Sequence, residues 1–266
     1  MDSINIFGKE IPTYGLLGTL GVVLGIVYLL WSCRKDKKLL EDSIYIYIWA
    51  CIAAMVGAKL LYLVIEAKNI VALMKMYPSQ IVQIILAYLS GGFVFYGGLF
   101  GALLGVLLAS RYFGLSFMKQ LNIFAPIIPL VHGFGRIGCH LVGCCYGIEY
   151  SGFLHIIYEN STHAPNGIWL FPVQLVEASI NFALFIVLAV MAAKKLGKGR
   201  LIYVYLLVYS VARFILEFFR GDGYRGRLLG VSTSQLISIA IWIYLLSVFV
   251  IGLRKNSDTC IHNTDN

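Results

Sequence analysis

The sequence predicts an all-α membrane protein with about seven transmembrane helices, on three observations. Hydrophobic residues make up 59% of the 266 positions and charged residues 13%, against roughly 45–50% and 25% in soluble domains. The apolar residues recur in tracts near the roughly 20 residues that cross a bilayer. The basic residues collect on alternate connections between those tracts, as the positive-inside rule requires.

Each observation also excludes something. A soluble domain of this length has too little polar surface to cover so much apolar side chain. The net charge of +8 is dispersed between apolar tracts and forms no basic face with interleaved aromatics, so no nucleic-acid partner is expected. The N-terminus carries Asp2, Lys9 and Glu10, and no small-residue cleavage site follows the first apolar run, so no cleavable signal peptide is expected. Residues 1–266 read as a single polytopic membrane domain.

The seven expected spans are Tyr14–Cys33, Ile44–Ile65, Gly92–Ser110, Leu121–Gly135, Pro172–Ala193, Leu201–Phe219 and Ser234–Leu253. Pro126 and Pro129 interrupt the fourth, which is also the shortest. The apolar stretch Ile81–Leu89 is cut off from the third by Ser90, Gly91 and Gly92 and reads as a separate amphipathic or partly embedded helix. Gly97, Gly101 and Gly105, and likewise Gly21 and Gly25, repeat at helical spacing, as in helices that pack closely in a bilayer.

Orientation follows from the loops. Arg34, Lys35, Lys37 and Lys38 follow the first span, and Arg111 and Lys119 the third. Lys194, Lys195, Lys198 and Arg200 follow the fifth, and Arg254 and Lys255 the seventh. Seven spans put all of these on one side, the cytoplasmic one, with the N-terminus outside and a cytoplasmic tail at 254–266. The segment 136–171 then becomes a small extracytoplasmic lobe. A second outward loop carries Arg220, Asp222, Arg225 and Arg227, against the usual charge bias.

Ionisable residues inside spans are costly and mark functional sites. Arg213 and Glu217 are spaced i,i+4 in the sixth span and share a helix face. Arg220 lies near the membrane surface beyond them. Gln174 and Glu177 share a face at the start of the fifth span, and Arg136 closes the fourth. Two guanidinium groups at one level fit a phosphate, which they grip through two parallel hydrogen bonds each. The alternative is a salt-bridge network that locks the bundle.

The densest chemistry runs from His132 to Cys145, with Cys139, His140 and Cys144 between them. The spacing matches none of the usual zinc motifs, and glycines interrupt the helix that would align His140 with Cys144. Small cysteines packing a tight turn are the ordinary expectation. A disulfide, a reactive thiol activated by Arg136, and a metal remain the alternatives.

Six segments in order carry a family resemblance: Tyr14-Gly-Leu, Gly57-Ala-Lys-Leu, Gly91-Gly-Phe-Val-Phe-Tyr-Gly-Gly, Gly135-Arg-Ile-Gly, Pro172-Val-Gln-Leu-Val-Glu and Arg213-Phe-Ile-Leu-Glu-Phe-Phe-Arg. Together they resemble the bacterial prolipoprotein diacylglyceryl transferases from Tyr14 to about Leu253. The resemblance implies a multi-pass protein of the bacterial inner membrane. It implies transfer of a diacylglyceryl group from phosphatidylglycerol to the lipobox cysteine of a preprolipoprotein, with release of glycerol phosphate. No organic cofactor or metal is required by that chemistry.

The chain departs from the family pattern at four positions. Tyr96 stands where the family has histidine, Cys139 where it has asparagine, Cys144 where it has glutamate, and Lys59 where arginine is usual. Arg136, Tyr14, Glu177 and Arg220 are the expected substrate-binding residues. Tyr96, Arg213, Glu217 and Cys144 are the expected catalytic ones. A divergent paralogue with another acceptor, or a non-catalytic phospholipid binder or transporter, is the rival reading.

Overall fold

The computed structural model describes residues 3–6, 9–197, 199–222, 227–228 and 231–262. An antiparallel hairpin of β1 (Ser3–Ile6) and β2 (Lys9–Pro12) leads into α1 (Thr13–Ser32). α2 (Lys37–Met76) starts at Asp36, whose carboxylate accepts from Leu39 N at 3.0 Å, and ends before Pro78, which cannot continue a helix. A 3₁₀ turn over Pro78–Gln80 leads to α3 (Ile81–Ser90) and α4 (Phe95–Tyr112). α5 (Phe117–Phe124), α6 (Ile127–Val142), α7 (Val173–Ala193), α8 (Leu201–Leu216) and α9 (Thr233–His262) follow. A 3₁₀ turn, Glu217–Phe219, closes α8, and a short pairing of β3 (Arg227–Leu228) with β4 (Val231–Ser232) precedes α9.

Six helices are long and apolar enough to cross a membrane, and α5 with α6, taken as one broken span, makes seven. The break falls at Ala125 and Pro126, within the span expected to be interrupted by prolines. α3 is the separate helix expected before α4. α2 differs from expectation. It runs well beyond Ile44–Ile65 at both ends, because Lys37, Lys38 and Glu41 before that stretch and Glu66, Lys68 and Lys75 after it lower the hydropathy without weakening the helix. Asn69 Nδ2 also donates to Glu66 Oε2 at 2.7 Å within that extension. The tail expected at 254–266 is helical as far as His262.

The chain forms two compact units, one of residues 29–124 and one of 1–28 with 125–266. In the first, α2 and α4 pack backbone to backbone. A Cβ on Gly101 would collide with the Ala53 carbonyl, and one on Gly57 with Gly97 O, so the glycine repeat is a packing seam. Ser43 Oγ donates to Gln120 Oε1 at 3.1 Å in the buried interior. Lys59 Nζ donates to Tyr88 O at 3.0 Å, to Gly92 O at 3.2 Å and to Gly91 O, satisfying carbonyls at the end of α3.

In the second unit α6, α7, α8 and α9 pack in sequence. Phe134 and Phe182 meet edge-on at 5.2 Å between α6 and α7, and Trp242 Nε1 donates to Ser210 Oγ at 2.8 Å between α9 and α8. α6 continues past Arg136 to Val142, so the lobe joining it to α7 begins at Gly143, later than the expected 136. That lobe is irregular, tied by single bridges between Glu149 and Leu170, Ile156 and Leu170, and Tyr158 and Asn166. A further bridge, Gly147 to Arg220, fastens it to the segment after α8.

Candidate active site

Arg136 sits in the second half of α6 and Glu177 in the second turn of α7. The packing of these helices brings Arg136 Nη2 within 3.0 Å of Glu177 Oε1, with the carboxylate side chain 2% exposed. One turn before Arg136, His132 Nε2 accepts from Arg136 Nε at 3.3 Å and lies 3.6 Å from the same carboxylate oxygen. From α8, Tyr209 donates its hydroxyl to Glu177 Oε1 at 3.2 Å. One carboxylate oxygen thus gathers groups from α6 and α8.

A second pair lies at the end of α8. Arg213 Nη2 is 2.6 Å from Glu217 Oε2, the i,i+4 partner expected from spacing, and donates to Ser234 Oγ of α9 at 2.9 Å. Arg213 Nη1 is buried with no hydrogen-bond partner among the described residues. A buried guanidinium N–H without an acceptor is expensive, and a ligand oxygen would satisfy it.

Arg220 lies beyond the end of α8 and is paired within the protein along one edge. Asp222 grips it through both carboxylate oxygens, Nε to Oδ1 at 2.8 Å and Nη2 to Oδ2 at 2.6 Å. Although burial works against the charged form, Asp222 and the Cys145 thiol hold the guanidinium cationic beyond its usual range. Asp222 thus takes the Nε and Nη2 edge, while Nη1 is buried with no hydrogen-bond partner among the described residues. Arg225 lies outside the described residues.

Tyr14, at the start of α1, lies against the backbone of Gly138 in α6, and half its surface is exposed. Tyr96 belongs to the other compact unit, in the first turn of α4, where it meets Phe95 edge-on at 5.7 Å. Gln174, buried one turn before Glu177, donates to Cys144 O at 3.0 Å. Tyr158 donates to His140 O at 3.0 Å, and burial pushes its hydroxyl up to about 12, so it stays protonated.

The cysteines come together. α6 ends at Gly143 in the left-handed conformation, φ 79°, and Cys145 is left-handed too, φ 59°. These reversals fold Cys144 and Cys145 back over the last turn of α6, and the Sγ atoms of Cys139, Cys144 and Cys145 all lie within 4.8 Å of one another. Hydrogen bonds from the Cys139 and Cys144 thiols, with the charges of Arg220 and Arg136, bring Cys145 down against its burial.

Sequence reasoning did not assign roles to His132, Tyr209 or Ser234. The first two were within reach: each stands four residues before one of the arginines and so shares its helix face. Ser234 comes from another helix and has no local signal.

The fold and this cluster define a multi-pass membrane protein with two buried arginine–glutamate pairs in one helix bundle. The sequence model of the prolipoprotein diacylglyceryl transferase family matches residues 2–251, and the chain belongs to that family. It is similar to the phosphatidylglycerol–prolipoprotein diacylglyceryl transferase of Clostridium tetani, at 34% identity over 94% of this chain and 96% of the relative. It is similar to transferase 2 of Clostridium perfringens at 34% identity, covering 94% of each chain. The Campylobacter jejuni subsp. doylei relative is 30% identical over 93% of this chain and 92% of its own.

Proposed function

We propose that this chain transfers the diacylglyceryl group of phosphatidylglycerol to the lipobox cysteine of a preprolipoprotein at the outer leaflet of the bacterial inner membrane. The observation that carries this reading is the pairing of Arg136 with Glu177 and of Arg213 with Glu217 inside one bundle. In the reaction the acceptor sulfur attacks the glycerol carbon that bears the phosphate. A C–S bond forms, the C–O bond breaks, and glycerol phosphate leaves with the electron pair. Arg136 and Arg213 spread the charge of the departing phosphate, the largest contribution a preorganised site makes to such a step.

Glu177 and Glu217 hold the arginines in register and keep their charge compensated between turnovers. Tyr14 lines the headgroup position beside Gly138. Tyr96, at the position where the family pattern has histidine, offers a phenolic hydroxyl that can donate or accept a hydrogen bond. Arg220 acts through Asp222 and the lobe, as a positioning residue. Glu177 Oε1 meets Arg136, His132 and Tyr209, and a carboxylate, whose ordinary pKa of about 4.3 lies far below the roughly 8.5 of a thiol, is a weak base for the attacking sulfur.

The test is purified protein in detergent with phosphatidylglycerol and a lipobox peptide. Release of glycerol phosphate, matched by the mass of one diacylglyceryl group on the peptide cysteine, is expected. Phosphatidylglycerol left intact in the presence of peptide defeats the reading. The substitutions at Tyr96, Cys139 and Cys144 favour one second reading, a different thiol acceptor. In that case glycerol phosphate appears with a small thiol and not with the peptide.

A further inference from the structure

The reading above leaves the acceptor thiol without a group to deprotonate it, and the three cysteines without a task. We propose that Cys139, Cys144 and Cys145 form a three-thiolate site for one zinc ion, whose open fourth position takes the acceptor thiol. The inference rests on the proposed transfer reaction for its second half only; the site itself rests on geometry.

The three sulfurs already lie within 4.8 Å of one another. Zinc bound at about 2.3 Å to each needs sulfurs roughly 3.8 Å apart, a contraction that small side-chain rotations supply. The sulfurs come from the last turn of α6 and from a reversal after it, so two elements converge on one point. Cys145 holds φ 59°, a conformation that costs a side-chain-bearing residue about 1–2 kcal/mol and gathers at functional sites. Packing alone gives no reason to hold a cysteine there when glycine would fit without strain.

The surroundings suit thiolates. Arg220 hydrogen-bonds to the Cys145 sulfur and is itself fixed by Asp222 at 2.6 and 2.8 Å. Such outer partners orient metal-bound ligands and temper their charge. Gln174 pins the Cys144 carbonyl at 3.0 Å, which fixes the turn without occupying a sulfur. Cys139 is buried, while Cys144 and Cys145 are partly exposed, so the site is reached from their side. Three protein ligands with an open position is the form of a catalytic rather than a structural zinc.

At the open position the acceptor S–H gives its proton to solvent, because a coordinated thiol is deprotonated outright. Its sulfur then forms the C–S bond as the C–O bond to phosphate breaks. Glycerol phosphate departs with that electron pair and takes up a proton, and the thioether, a poor ligand, is released. The cation keeps its three cysteines and no electrons are exchanged with the metal.

The experiment uses full-length protein purified in detergent without chelator. One zinc per chain is expected by elemental analysis. After chelation, titrated cobalt should give a thiolate-to-metal charge-transfer band that saturates at one equivalent. Zinc should also shield these three cysteines from iodoacetamide in the wild-type protein, a readout that needs no variant. Cys139→Ser, Cys144→Ser and Cys145→Ser should each abolish the cobalt band while the protein stays monodisperse.

Absence of both zinc and a cobalt band in wild-type protein, or a disulfide among the three in freshly isolated reduced protein, overturns the site. Undiminished transfer by metal-free protein overturns the role given to the open position. One-equivalent metal binding with no transfer to any thiol leaves the site standing and defeats the transferase reading instead.

Discussion

Arg136 Nη2 lies 3.0 Å from Glu177 Oε1, and the Tyr209 hydroxyl reaches that same oxygen at 3.2 Å. Glu177 Oε2 has no hydrogen-bond partner among the described residues. The carboxylate therefore directs one edge at the guanidinium. With Nε facing His132, the pair is preorganised rather than collapsed into a closed bidentate fork.

Replacing Arg136 tests the phosphate role. Arg136→Ala should lower the rate of glycerol phosphate release by about 10²–10³-fold, the usual cost of one donor to a developing charge. Arg136→Lys should recover only part of it, since a point charge lacks the planar fork. The check is initial rates on variants that elute from size exclusion as the wild type does. Normal turnover in Arg136→Ala removes the phosphate clamp.

Glu177 should matter to stability as well as to turnover. Glu177→Ala leaves the Arg136 charge buried without its partner, and the expected loss is about 3–5 kcal/mol. Glu177→Gln keeps an acceptor for Tyr209 and should lose less. Thermal unfolding in detergent compares them, and equal midpoints for Glu177→Ala and wild type count against a buried pair.

The glycine seam gives a purely structural expectation. Gly101→Val sets side-chain carbons against the Ala53 backbone, and such overpacking costs about 1–3 kcal/mol. Gly98→Ala is the control, because its added methyl meets Ala54 O and Ala58 Cβ at 3.5 Å, ordinary contact. The unfolding midpoint should fall for the first substitution and hold for the second.

Gly143 governs the cysteine turn. Its φ of 79° is strained for any side chain, and a methyl group would run into the Ser161 hydroxyl. Gly143→Ala should cost at least about 1–2 kcal/mol and should speed alkylation of Cys144 and Cys145 as the turn opens. Unchanged alkylation rates would mean that the turn does not hold the sulfurs together.

The orientation is tested from the end of the chain. A reporter active only in the cytoplasm, attached after Leu253, should give signal, because the four basic clusters then share the cytoplasmic side. A silent cytoplasmic reporter beside an active periplasmic one reverses the proposed topology.

The helices were legible because hydropathy depends on composition, which is local: each expected span has its helix, and Pro126 marks the break between α5 and α6. The Arg213–Glu217 pair was legible for the same reason, since i,i+4 spacing is a property of one helix. Arg136 with Glu177 was legible only as a shared level, and its partners Tyr209 and His132 emerge from packing across α6, α7 and α8. The cysteines were legible as thiols packed in a tight turn, but the meeting of all three sulfurs was not. They meet because Gly143 and Cys145 both turn left-handed, and no spacing rule written for regular motifs contains that reversal. The pairing of Arg220 with Asp222 lies two residues apart and could be read locally, but the Gly147–Arg220 bridge joins residues far apart in sequence and could not.

The length of α2 has a consequence for the host membrane. Its 40 residues make a rod about 60 Å long, twice the roughly 30 Å of a bilayer's hydrocarbon layer. Its far end carries Glu66, Lys68 and Lys75 among exposed Val71 and Met76, a mixture at ease in headgroups, with lysine stems able to extend toward water. Thickening the bilayer would submerge a little more of this end, and thinning it would release a little, with small change in exposed apolar surface either way. Hydrophobic mismatch, which penalises a span of fixed length by fractions of a kcal/mol per Å, should thereby be softened at this helix, which has less need to tilt than a shorter rod when the acyl-chain length changes.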